Sequence, residues 1–300
     1  MLMPEIQSVN VTSEKASNNI TSKFSAIDID YGNVRLHAEN GVNKLESEQL
    51  VGQGLAVITS SSGYVELLAK QNEIIGHDIG GIYGSPYSKH QQNPDQEMQK
   101  IMLKATDGDN LVTTERTDGI YSSDGYIVEL IAESGNNSIT GKSDGNTDPT
   151  AAIVKTNGGT IRIHSQGNGA DETGNNFIYS DNPQSESYYK LDALRAAGLP
   201  PSSGGSASGA EVAKGRLLLI ADNANTIYGS MTAETNGTIS ISGKQNSIIA
   251  ATISDDVPSV PSTSERYHYA VQVIGGKDYG TDNILTRANI HISGYRRREK

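Results

Sequence analysis

The residues of this 300-residue chain with functional chemistry to offer are its histidines, carboxylates, asparagines and tyrosines, since it contains no cysteine. The absence of thiols removes disulfides, thiolate zinc sites and cysteine nucleophiles together. The six histidines (His37, His77, His90, His164, His268 and His291) are scattered, and none stands at a metal-binding spacing from another. His37, His164 and His291 fall at a shared slot of the repeat described below, on an outer face or turn. Asp28 and Asp30 alternate on one strand face, and Asp107, Asp109, Asp255 and Asp256 stand in turn-like segments. Carboxylate pairs are what glycoside cleavage requires, but an acidic chain offers such pairs by chance. Asp144-Gly145-Asn146-Thr147-Asp148 resembles half a calcium loop and lacks its frame and closing Glu. No Gly-x-Ser-x-Gly motif is present. The reading is therefore a non-enzymatic chain with no catalytic residues, no metal site and no cofactor.

What positions these residues is a repeat. A glycine or turn residue precedes alternating apolar positions and a small residue; after a polar turn come Asn, one spacer and an aliphatic residue. One copy is Gly32-Asn33-Val34-Arg35-Leu36-His37-Ala38 with Asn43-Lys44-Leu45. Another is Gly159-Thr160-Ile161-Arg162-Ile163-His164-Ser165 with Asn176-Phe177-Ile178. Taking Val34, Val65, Ile101, Ile127, Ile161, Leu217, Ile239, Val271 and Ile290 as equivalent gives gaps of 19 to 56 residues. A third strand-like slot lies between copies, as in Leu55-Ala56-Val57-Ile58, Gly119-Ile120-Tyr121, Ala151-Ala152-Ile153-Val154 and Ser230-Met231-Thr232-Ala233.

The apolar period is two rather than 3.6, which excludes helical solenoids. Strands too short to bury a face alone become stable when stacked on like neighbours. The expected fold is all-β: a parallel β-helix, a three-faced solenoid of about eight to nine coils with loop insertions. At about 4.8 Å per coil the rod is roughly 40 Å long. Residues 1–31 are read as a leader or first coil edge, 32–294 as the solenoid, and 295–300 as a tail. Asn43, Asn72, Asn110, Asn137, Asn176, Asn225, Asn246 and Asn283 recur at one slot. Stacking of their amides from coil to coil explains the recurrence better than glycan attachment or ligand contact.

Three insertions break the rhythm, at 80–99, 180–214 and 254–269. Ser187 to Gly198 has helix-forming composition ending in a glycine stop, and Ser202 to Ser208 reads as a flexible loop. Residues 184–213 are expected to lie between complete strands and to be removable. Loops on a rigid scaffold commonly carry function, and aromatic side chains make good contact anchors. Tyr83, Tyr87, His90, Tyr188, Tyr189, Tyr267 and Tyr269 are the expected ligand-binding residues.

Composition narrows the partners. The chain carries 24 basic and 35 acidic residues, a net charge of −11. An acidic surface disfavours nucleic acid and anionic membranes. No apolar run is long enough for a membrane span, so no membrane insertion is expected. Met1 to Asn10 lacks the basic start and apolar stretch of a signal peptide, so a segment of a longer exported protein is expected.

The Gly-x-Ile-x-Ile, Asn-x-Ile-x-Gly and Gly-Ile-Tyr units at Gly125 to Gly141, Gly159 to Ile163 and Gly215 to Ile248 resemble the coils of bacterial autotransporter passenger domains. The resemblance implies a right-handed β-helix displayed on the outer membrane of a Gram-negative cell. It also implies an extracellular adhesin that binds a host or bacterial surface glycan or protein, or self-associates in aggregation and biofilm. The same scaffold also serves polysaccharide-degrading, tailspike-like enzymes and passive stalks.

Overall fold

The computed structural model describes residues 7–29, 32–48, 56–60, 63–84, 100–115, 119–122, 127–142, 152–157, 159–169, 172–181, 192–197, 215–233, 237–249, 271–273 and 289–294. Among them every regular element is a β-strand, and the strands pair in parallel. The chain returns to the same three ladders in turn. The first holds β1 (Gln7–Ser13), the leading parts of β4 (Gly32–Glu48) and β6 (Val65–His77), then β8 (Lys100–Ala105), β11 (Ile127–Ala132), β14 (Thr160–Ser165), β17 (Arg216–Ala221), β20 (Thr238–Gly243) and β23 (Asn289–Gly294). The second holds β2 (Asn18–Ser22), the trailing parts of β4 and β6, then β9 (Asn110–Thr114), β12 (Asn137–Lys142), β15 (Asn176–Asp181), β18 (Ala224–Tyr228) and β21 (Gln245–Ile249). The long β4 and β6 run through both ladders and join them into one 15-stranded sheet. The third ladder is a separate 8-stranded sheet of β3 (Ile27–Ile29), β5 (Ala56–Ser60), β7 (Gly80–Gly84), β10 (Ile120–Ser122), β13 (Ala152–Asn157), β16 (Asp192–Ala197), β19 (Ser230–Ala233) and β22 (Val271–Val273).

Alternation decides which side chains enter the core. In β14 Ile161 and Ile163 are fully buried, whereas Arg162 between them is exposed. Register stacks each inward residue on its counterpart: Val34, Val65, Ile101, Val128, Ile161, Leu217 and Ile239 form one row, and Leu36, Leu67, Leu103, Leu130, Ile163, Leu219 and Ile241 the next. Each such side chain contributes roughly 1.5–3 kcal/mol by burial. A third row is small, Ala38, Ala69, Ala105, Ala132, Ser165 and Ala221, because there the chain bends towards the second ladder. Backbone packs against backbone at the bends. A Cβ on Gly135 would lie 2.2 Å from the Gly108 carbonyl oxygen, so only glycine fits.

At the start of the second ladder the asparagines form one continuous column. Each amide nitrogen donates to the Oδ1 of the next residue, Asn18 to Asn43 at 2.9 Å, then Asn72 at 3.0 Å, Asn110 at 2.8 Å, Asn137 at 2.8 Å, Asn176 at 2.9 Å, Asn225 at 2.8 Å and Asn246 at 2.8 Å. The second amide hydrogen goes to a main-chain carbonyl of the following repeat, such as Ile131 for Asn110 and His164 for Asn137. A buried amide is tolerated only when its donors and acceptor are used, and the column meets that condition by repetition. These side chains are therefore structural, as expected. Asn18 is a further member, and Asn283 lies outside the described residues.

Within the segment read as a leader or first coil edge, β1, β2 and β3 pair with β4 and β5 and add one strand to each ladder. Other expectations are corrected. Ile127 is not the equivalent of Ile101; Val128 is, and Ile127 is 37% exposed. Val271 belongs to the third ladder, opposite Met231, not to the first. His291 pairs with Ser240, in the column of Arg35 and Arg162, so it does not share the slot of His37 and His164. The insertion at 80–99 begins with a strand, β7, whose Ile82 is buried; 85–99 lie outside the described residues. The helix expected over 187–198 is contradicted at Asp192–Ala197, which is strand β16. Its Asp-Ala-Leu-Arg-Ala-Ala composition favours helix in isolation. Parallel partners on both sides, β13 and β19, supply hydrogen bonds and bury Ala193, Leu194 and Ala196, and that context overrides propensity. The insertion at 254–269 and the tail at 295–300 lie outside the described residues.

Candidate functional site

Among the described strand residues, the outward positions are the ones open to a ligand, because the inward rows are filled by packing. Of the expected contacts, Tyr83 alone falls among the described residues; Tyr87, His90, Tyr188, Tyr189, Tyr267 and Tyr269 lie outside them. Tyr83 is not on a loop. It stands in β7 on the outward face of the third ladder, opposite Tyr121 of β10, which stands opposite Lys155 of β13. The two rings are 5.3 Å apart at 53°, and the Lys155 ammonium lies 5.1 Å from the Tyr121 ring centroid. Parallel register thus builds an aromatic and cationic column from residues over seventy positions apart in sequence.

A second aromatic group stands on the outward face of the second ladder. Phe177 and Tyr179 flank the buried Ile178 on β15, and Tyr228 of β18 lies opposite Tyr179. The Phe177 and Tyr179 rings are 6.0 Å apart and nearly parallel at 12°. Tyr228 meets Phe177 at 6.0 Å and 61°, and Tyr179 at 5.3 Å and 73°. All three side chains are partly exposed. Their register neighbours on adjacent strands are Ser138, Thr140 and Thr226 on the described face. Sequence reasoning that sought aromatic residues only in insertions missed Tyr121, Phe177, Tyr179 and Tyr228. The signal was present: in Asn176-Phe177-Ile178-Tyr179 and Asn225-Thr226-Ile227-Tyr228 the residues either side of the inward isoleucine must point outward.

The remaining outward surface is laced by ion pairs between repeats. Arg35 Nε lies 2.7 Å from Glu66, Lys104 Nζ 2.6 Å from Glu133, and Lys44 Nζ 3.4 Å from Glu73. Glu129, the most buried of these carboxylates, is held between Lys100 and Arg162, the latter at 3.1 Å. His77 stands 3.4 Å from Glu46 and 3.7 Å from Glu115, all three partly in solvent. Burial, with the nearby Arg162 charge second, holds the His164 imidazole below its ordinary range. Among the described residues no three His, Cys, Asp or Glu side chains converge as a metal site. Asp28 is exposed on β3 and Asp109 is used structurally, its Oδ1 accepting from the Asn136 backbone N–H at 2.7 Å. Asp30, the 144–148 segment, Asp255 and Asp256 lie outside the described residues.

No family model, no curated protein and no solved structure matches this chain.

Proposed function

We propose that the chain is an extracellular, cell-surface adhesin domain, built as a right-handed, three-faced parallel β-helix, that binds surface ligands on host or neighbouring bacterial cells. Three parallel ladders visited once per repeat support the solenoid. The observation that carries the functional reading is the aromatic group Phe177, Tyr179 and Tyr228, held partly exposed on two adjacent strands whose inward residues are locked in the core. Solvent-facing aromatic clusters on a rigid frame offer contact area at low entropic cost. The absence of cysteine suits a protein that crosses an oxidising compartment unfolded. The likeness of its repeat units to autotransporter passenger coils is part of the same proposal.

The test is a binding screen with the 300-residue chain, fluorescently labelled, against bacterial cells, epithelial cells and immobilised glycans. Saturable binding to at least one surface, reduced by alanine at Tyr179 and Tyr228, is the expected result. A folded chain that binds none of them is a stalk, and the adhesin reading fails.

A further inference from the structure

Resting on that reading, we propose that the Phe177, Tyr179 and Tyr228 group is a subsite for an uncharged pyranose segment of a glycan. Three observations select this occupant. The first is the composition of the patch. Aromatic rings stack on the C–H faces of a sugar ring, and hydroxyl groups serve its hydroxyls. Here Ser138 and Thr226 stand in register beside Phe177, and Thr140 beside Tyr179. The second is charge. None of these register neighbours is charged, and the nearest charged positions in register, Asp181 opposite Lys142, follow at the end of β15. The same face of the second ladder on β4 and β6 instead carries Lys44 in ion pairs with Glu46 and Glu73, and His77 lies beside Glu46 and beside Glu115, which follows β9. A neutral sugar avoids the cost of stripping water from a charge and can re-pair its hydroxyls with Ser138, Thr140 and Thr226, whereas these register neighbours offer an anionic ligand no cation.

The third is size. Three partly exposed aromatic side chains present on the order of 200 Å². A stable protein interface needs ~800 Å² from each partner. The patch therefore matches one or two sugar rings better than a second copy of the chain. Parallel strands also set the rungs about 4.8 Å apart, close to the rise of one sugar unit in an extended glycan. A chain laid along the stacking direction meets Tyr179 and Tyr228 with successive units.

The experiment titrates the 300-residue chain with cellohexaose, laminarihexaose and mannohexaose, and with polygalacturonate as the acidic comparison, by calorimetry. One or more neutral hexasaccharides should bind, with affinity insensitive to salt. Tyr228→Ala should weaken binding by about tenfold, while Tyr228→Phe, which keeps the ring, should retain most of it. Thermal unfolding by circular dichroism checks that each variant remains folded, and Phe177→Ala serves as the second variant where Tyr228→Ala does not. Preference for polygalacturonate, or neutral binding unchanged in both folded alanine variants, overturns the subsite. So does loss of cell adhesion in those variants without any oligosaccharide binding, which would assign the patch to a protein partner and leave the adhesin reading standing. Failure of both the titration and the cell screen removes both proposals.

Discussion

Removing one amide from the middle of the asparagine column should cost far more than removing any outward polar side chain beside it. Asn137→Ala deletes three hydrogen bonds: the one it accepts from Asn110 at 2.8 Å, the one it donates to Asn176 at 2.9 Å, and the one to the His164 carbonyl at 2.9 Å. At ~1 kcal/mol net for each bond, the loss is about 3 kcal/mol. The Asn176 Oδ1 is also left buried with no amide donor, which adds ~1–2 kcal/mol. The expected destabilisation is thus about 3–5 kcal/mol, a large part of the ~5–15 kcal/mol that holds an ordinary domain together. Asn137→Asp sharpens the test, because it keeps the shape and changes only the donors. The introduced carboxylate faces the Oδ1 of Asn176 with no hydrogen to give. Burial and that contact both raise its folded-state pKa above the ordinary ~3.9. The folded state then binds the proton more tightly than the unfolded state. The variant is best preserved below about pH 4 and loses stability as pH rises through the raised value. Urea unfolding followed by far-ultraviolet circular dichroism, at neutral and acid pH, measures both effects. Ser138→Ala, the outward neighbour, should stay within about 0.5 kcal/mol of the parent. If Asn137→Ala costs no more than Ser138→Ala, or Asn137→Asp is equally destabilised at both pH values, the column does not hold the repeats in register.

Ser165 interrupts the row of alanines between Ala132 and Ala221, and its buried hydroxyl has no partner, so Ser165→Ala should raise stability by about 1 kcal/mol in the same urea assay. Ile161→Asp, which buries an unpaired charge, should abolish the cooperative unfolding transition. Arg162→Ala on the opposite face, where the side chain is 44% exposed, should cost about 1 kcal/mol or less because Lys100 still pairs with Glu129. His164 has its folded-state pKa lowered, so the unfolded chain binds the extra proton first. Stability should therefore fall as pH drops below the ordinary ~6.5, and His164→Gln should abolish that part of the urea-midpoint titration.

Much of the scaffold was legible because each rule it obeys leaves a trace in residue type. Inward aliphatic rows appear as alternation, the bend appears as alanine or serine, and the stacked amides appear as an asparagine two residues before an inward aliphatic one, repeat after repeat. The errors have equally local causes. At Ile127-Val128-Glu129-Leu130-Ile131 apolar residues occupy both parities, so alternation alone does not say that Val128 rather than Ile127 points inward. The third-ladder strands are short; Gly80-Gly81-Ile82-Tyr83-Gly84 carries turn residues and Asp192 to Ala197 carries helix formers. Only the neighbouring strands, distant in sequence, make either segment extended. The aromatic groups were missed for a related reason. Tyr83 meets Tyr121, and Tyr179 meets Tyr228, through inter-repeat register rather than through any local motif.

The same geometry determines how recognition is to be separated from folding. Strand β16 bridges β13 and β19 in the third ladder, and its Ala193, Leu194 and Ala196 are buried. Excising residues 184–213 as a dispensable insertion would remove that rung and leave two strands without their shared partner. Loss of adhesion in such a deletion would report on unfolding and say nothing about the ligand. Parity offers the cleaner cut. On β15 the inward Ile178 belongs to the core, while Phe177 and Tyr179 on either side of it project to the surface. Substituting the outward pair alters what a ligand meets and leaves the ladder hydrogen bonds and the buried row in place. On the proposed reading, recognition by a stacked scaffold of this kind would rest on alternate residues of the strands themselves, and a single-residue change of face would move a side chain from the structural role to the recognising one.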